Sequence, residues 1–246
     1  MEAITEFIII AILVVFQSVF GVGLLLFGTP AFLLIGYDFD STLVLLLPVS
    51  IVTSLLQTIY QKNFIKHVTY EFNLFCLPFL FLFLVIAINL EGILDIRIFV
   101  ATFLIISSIF ALNKSKIIRL EKHVLNYRKI YLIFIGSIHG FTNMGGGFLS
   151  LFSRLINSED KLLTRKYISY GYFVMGVTQY ATILFIGLND IDVRQFYYLF
   201  FPLVLFFPSQ KIFHRIDNQP FMKIINYIAL VFGIIVLITS LKQNLL

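Results

Sequence analysis

The chain has 246 residues, of which 59% are hydrophobic, 17% aromatic and only 13% charged, and its mean hydropathy is +0.97. Soluble domains carry about a quarter charged residues, so this composition excludes one and indicates an integral membrane protein. The formal net charge of +5 does not point to nucleic acid, because basic residues on so apolar a chain record membrane orientation.

Apolar segments fall at about 7 to 36, 42 to 60, 71 to 90, 96 to 113, 130 to 156, 166 to 187, 193 to 208 and 221 to 241. Runs such as LPFLFLFLVIAINL (77 to 90) and YIALVFGIIVLITSL (227 to 241) are helix-length and lack the alternation of a barrel strand. The expected fold class is therefore all-α, a polytopic helical membrane protein. With no Trp in the chain, an interfacial aromatic belt falls to Tyr.

The first segment follows MEAITEF, which carries Glu2 and Glu6 and no basic residue. It lacks the positive flank of a cleavable signal and is expected to be retained. Its 30 residues would make a helix of about 45 Å against a hydrocarbon core of about 30 Å, too long for one upright pass and too short for two. The stretch GVGLLLFGTP (21 to 30) interrupts it. In the second segment Ser50, Thr53, Ser54 and Gln57 share one helical face. Cys76 is the only cysteine, which leaves no disulfide framework or multi-cysteine metal site, and no cofactor is expected.

The polar stretch NKSKIIRLEKHVLNYRK (113 to 129) divides the segments four and four. Residues 1 to 113 are read as a first transmembrane repeat, 114 to 129 as a cytoplasmic basic connector and 130 to 246 as a second repeat. The fifth segment is interrupted by GFTNMGGG (140 to 147), and in the sixth Ser169, Tyr172, Gly176 and Gln179 form a face like that of the second. Placing SVFG (18 to 21) over SIHG (137 to 140) gives an offset of 119, which also sets Gly28 over Gly147. An insertion of three residues near NSEDKL raises the offset to 122 and sets Gln57 over Gln179.

Eight simple crossings would put 10 basic residues inside and 8 outside; letting the fifth segment enter and leave on one side changes the count to 15 against 3. In that arrangement matching loops lie on opposite sides, so the expected plan is two four-element inverted repeats whose first elements are broken and re-entrant. Unwound backbone at membrane depth is tolerated only where protein buries it or it lines a cavity. Such breaks form the midplane sites of many secondary transporters.

Half-helix N-termini offer unpaired N–H groups and partial positive charge, a setting for an anion. No Lys or Arg is expected deep in any segment. The candidate substrate-binding residues are Gly21, Gly23, Gly28, Thr29, Pro30, Gln57, His139, Gly140, Thr142, Asn143, Gly145, Gly146, Gly147 and Gln179. Ser18 and Ser137 flank the breaks as well. Close helix packing is the competing reading for the glycines, and a bond to a helix carbonyl is the competing reading for His139. An integral membrane enzyme built on His139 is the alternative function. It is disfavoured because no Asp, Glu or Cys lies within a few residues of that histidine and no HExxH motif occurs.

The segments SVFGVGLLLFGTPAFLLIGYDFDSTLVLLLPVSIVTSLLQ (18 to 57) and GSIHGFTNMGGGFLSLF (136 to 152) resemble the sulfite exporter TauE/SafE family of membrane permeases, and the resemblance runs from about residue 7 to 241. It implies transport of sulfite, organosulfonates or related sulfur-containing anions in a bacterial-type cytoplasmic membrane. Carried across, the family's glycine-rich positions fall on Gly21, Gly23, Gly28, Thr29, Pro30, Gly140, Asn143, Gly145, Gly146 and Gly147. The expected partners are a small anionic substrate and the lipid bilayer. A coupling proton or cation and a homo-oligomeric assembly are both compatible with this plan.

Overall fold

The computed structural model describes residues 2–60, 66–90, 93–113, 123–157, 160–186, 194–215 and 218–243, and among them every regular element is a helix. In chain order these are α1 (Glu2–Phe20), α2 (Leu24–Leu34), α3 (Phe39–Tyr60), α4 (Lys66–Phe75), α5 (Leu77–Leu90) and α6 (Ile96–Leu112). The second half contributes α7 (Arg128–Thr142), α8 (Gly145–Ile156), α9 (Lys161–Ile186), α10 (Arg194–Tyr198), α11 (Phe200–Arg215) and α12 (Asn218–Gln243). The helical content has a solvent reason: in lipid a backbone must satisfy its own N–H and C=O groups.

Among the described residues three stretches are long and apolar enough to cross a membrane, Phe39–Tyr60, Thr69–Leu90 and Phe196–Arg215, and shorter apolar helices accompany them. Large hydrophobic side chains such as Phe185, Phe200 and Tyr197 face outward, as they do where the surrounding solvent is lipid. The protein is an integral membrane protein.

Both expected breaks occur, and both are shorter than the glycine-rich stretches that announced them. The first spans only Gly21, Val22 and Gly23, and the second only Asn143 and Met144. Gly28, Thr29 and Pro30 lie inside α2, while Gly140 and Thr142 belong to the last turn of α7. Pro30 fits because α2 is short and the proline costs it one bond near its middle. Two further segments are divided just before a proline. The third parts at Cys76, ahead of Pro78, and the seventh at Leu199, ahead of Pro202.

The helices of the two halves pack by exchange. α5 lies against α7 as α11 lies against α1, α2 packs on α3 as α8 packs on α9, and α3 pairs with α9 and α6 with α12. The approach of α7 to α5 is close enough to demand glycine. A Cβ on Gly136 would sit 2.2 Å from the Cys76 carbonyl oxygen, and one on Gly140 would sit 2.2 Å from that of Leu80. Four residues apart, these two positions form the small-residue stripe that lets membrane helices touch backbone to backbone.

Candidate functional site

The two breaks share one local geometry. Gly21 has φ +78° and Asn143 has φ +63°, the left-handed region that ends a helix and that glycine and asparagine tolerate best. Each donates its N–H to the carbonyl four residues back, Gly21 to Gln17 and Asn143 to His139, both at 2.8 Å. That carbonyl also accepts from a glutamine of the neighbouring long helix: Gln57 Nε2 reaches Gln17 O at 2.6 Å and Gln179 Nε2 reaches His139 O at 3.4 Å. All three pairs, 17 with 139, 21 with 143 and 57 with 179, are 122 residues apart. The expected alignment used 119 before its shift to 122, and these three pairs share the second value. In the register of 122 Gln17 stands opposite His139, where the register of 119 sets Phe20.

Around the second break His139, Thr142, Asn143 and Gln179 are fully buried. Asn143 Nδ2 donates to Thr29 Oγ1 at 2.8 Å and Gln179 Nε2 donates to Asn143 Oδ1 at 3.4 Å. Thr142 Oγ1 donates to Ile138 O and accepts from Met144 N–H, closing the turn. The His139 ring meets Tyr172 edge-on with centroids 5.9 Å apart. Tyr172 in turn fills the space that Gly146 leaves, since a Cβ there would lie 1.5 Å from the phenol oxygen. Four buried side-chain atoms in this cluster have no hydrogen-bond partner: His139 Nδ1 and Nε2, Tyr172 Oη and Gln179 Oε1. The Gln179 amide stands beside the histidine ring. Buried polar groups are nearly always paired, so a cluster of unpaired ones stands out.

At the first break the polar groups are mostly occupied. Gln17 Nε2 donates to Ser50 O and Ser50 Oγ, each at 3.1 Å, and to Ser54 Oγ at 2.8 Å. Gln57 Nε2 extends to Ser18 O at 3.2 Å, while Ser169 donates to Gln57 Oε1 at 3.2 Å. Arg165 donates from Nη2 to Ser18 O and, at 2.7 Å, to Gln210 Oε1, with its side chain only 3% exposed. No Lys or Arg was expected deep in a segment, and Arg165, near the start of its helix, is nonetheless buried. α9 begins at Lys161, which puts Arg165 in its second turn, packed on the first break, instead of in a loop.

A hollow of about 20 Å³ lies between Val22 of the first break and Gly147, Ser150 and Arg154 of α8. Its size suits about one water molecule. The residues of both breaks are buried.

The profile of the sulfite exporter TauE/SafE family matches residues 7–238, nearly the whole chain. The chain belongs to that family. Membership implies a membrane transporter for sulfur-containing anions. No curated protein and no solved structure is significantly similar to it.

In this TauE/SafE member the sequence-predicted residues separate into three groups. Thr29, His139, Asn143, Gln179 and Gly146 come together at the second break, with Thr142 capping it. Gly21, Gly23 and Gln57 form the first, where Gly23, at φ +149°, passes close to Phe16. Gly28 packs against Leu46 and Leu13, Gly140 against α5, Gly145 against His139 Cβ and Gly147 against Ser107, while Pro30 is buried within α2. Ser137 bonds the helix carbonyl of Ile133. Gln17, Arg165 and Gln210 were not among the candidates, and Tyr172 was named only as part of a helical face. Gln17 alone carried a signal, as an amide in an apolar run just ahead of the break.

Proposed function

We propose that this protein is a secondary transporter for a small anion, sulfite, an organosulfonate or a related sulfur-containing anion, moved by alternating access at the two helix breaks. The observation that carries the reading is the pair of buried side chains with unpaired polar atoms, His139 and Tyr172, set against the start of α8. An oxyanion accepts hydrogen bonds from a phenol, an imidazole N–H and the free N–H groups of a helix's first turn. Gly145 and Gly146 keep that turn bare of side chains.

The exchange of neighbours between halves and the constant spacing of 122 between matching break residues support an inverted repeat, with residues 1 to 113 and 130 to 246 as its units and 114 to 129 joining them. Basic residues gathered 15 to 3 on one side support a multi-pass arrangement in a bacterial-type cytoplasmic membrane, with the connector inside. The membrane potential weighs on direction. With the inside negative, exporting one negative charge gains about 2.3 kcal/mol per 100 mV, about fifty-fold in concentration. Export needs no co-ion, whereas uptake requires one and makes His139 the first proton carrier to test.

Purified protein in proteoliposomes should show saturable flux of labelled sulfite or sulfonate that Gly146→Leu abolishes. No flux with any of these anions, accompanied by turnover of a lipid or amide, would replace the carrier with an enzyme at His139.

A further inference from the structure

Arg165 is a buried cation without an anion. Its side chain is 3% exposed, its two acceptors are the Ser18 carbonyl and the Gln210 amide oxygen, both neutral, and among the described residues no carboxylate pairs with it. Removing a charge from water costs several kcal/mol unless an opposite charge or a full set of hydrogen bonds repays it. Here the set is incomplete, because Arg165 Nε has no partner. Nor has the hydroxyl of Ser18, the residue whose carbonyl the guanidinium holds.

The surroundings add positive charge. The guanidinium carbon lies 4.0 Å from the Phe213 ring centroid, and Lys161 Nζ, one turn earlier on α9, lies 4.2 Å from the same centroid. Like charges one turn apart repel. A buried guanidinium with neutral acceptors and a spare donor describes a site that lacks its negative charge.

We infer that Arg165 and Ser18 form a second anion subsite, at the first break, which receives the transported oxyanion through the guanidinium Nε–H and the serine hydroxyl. The inference rests on the carrier reading and adds to it a charged recognition point distinct from the neutral cluster around His139 and Tyr172. On the expected orientation Arg165 lies toward the cytoplasmic side, so an anion leaving the cell meets it first. The competing role is a cap: a cation at the last carbonyls of α1 stabilises a helix C-terminus without any ligand.

Sulfite flux into proteoliposomes separates the two. In Arg165→Gln, which keeps a donor for the Ser18 carbonyl and loses the charge, the KM for sulfite should rise about tenfold or more, the loss expected for a charge-assisted hydrogen bond. Arg165→Lys should recover part of it. Ser18→Ala removes a hydroxyl that makes no hydrogen bond within the protein, so it leaves the fold intact, and its KM should rise about threefold. A wild type that moves sulfite while Arg165→Gln or, should that variant not fold, Ser18→Ala keeps the wild-type KM overturns the subsite and leaves the carrier standing. A wild type that moves no anion overturns the carrier. The subsite is then decided by thermal unfolding in detergent with sodium sulfite added: stabilisation present in the wild type and lost in Ser18→Ala and Arg165→Gln supports it, and no difference overturns it.

Discussion

Asn143 Nδ2 donates to Thr29 Oγ1 at 2.8 Å, a bond across 114 residues that ties the second break to the helix following the first. Both groups are fully buried. Thr29→Val keeps the shape and leaves the amide unpaired, so it should lower stability by about 1 kcal/mol. Thr29→Ser should restore most of it. Thermal unfolding of the detergent-purified variants measures the difference, and a Thr29→Val protein as stable as the wild type would mean that the bond carries no weight.

Gly146 and Tyr172 should respond in opposite ways. An alanine at 146 puts a Cβ 1.5 Å from the phenol oxygen and 2.4 Å from the ring carbon bearing it, so Gly146→Ala should cost about 2 kcal/mol or more. Tyr172→Phe removes a hydroxyl that bonds nothing in the protein and should unfold within about 0.5 kcal/mol of the wild type. A large loss of stability in Tyr172→Phe would show that the hydroxyl has a structural partner.

Gly140 should tolerate no side chain, because its neighbours at 2.2 and 2.9 Å are the backbone atoms Leu80 O and Leu84 N. Gly140→Ala must push α7 off α5, at about 3 kcal/mol or more, and should yield little folded protein by size-exclusion chromatography. Gly36→Ala meets nothing within 4 Å and carries only the strain of φ +98°, about 1 kcal/mol. Equal yields of the two variants would contradict the packing described for α5 and α7.

The sequence announced where the chain would break but not how. GFTNMGGG marked the second interruption because glycines and an asparagine in an apolar run cannot be ordinary span, and Asn143 does take the left-handed conformation there. Gly140 read as part of the same break, yet it serves the α5 contact, since packing glycine and unwinding glycine look alike until the neighbouring helix is known. Arg165 was assigned to a loop by charge counting, which registers a side of the membrane but not burial. The partnership of Gln17 with Ser50 and Ser54 is invisible in sequence because it joins residues more than 30 positions apart.

At the α6 end farther from the breaks, Asp95 caps the helix through Arg97 N–H at 3.1 Å, pairs with the Arg97 side chain at 2.8 Å and accepts from Ser240. Burial pushes its carboxyl up, but the Arg97 and Ser240 hydrogen bonds and the Arg97 charge together hold it below the ordinary carboxylate value. A lowered value in the folded state means that stability is present above the ordinary value of about 4 and is lost as pH falls through the lowered one. Asp95→Ala should therefore be less stable than the wild type by about 1 kcal/mol at neutral pH, with the gap closing under acid. A gap independent of pH in thermal unfolding would remove the charge from this explanation.

The anion site at the breaks is tested most directly by the initial rate of labelled-sulfite counterflow in proteoliposomes containing wild type or Tyr172→Phe. The hydroxyl is spent on no bond within the protein, so its loss should leave the fold unchanged and lower kcat/KM for sulfite by about tenfold or more. Saturable counterflow in the wild type with an unchanged kcat/KM in a folded Tyr172→Phe would contradict binding at this cluster.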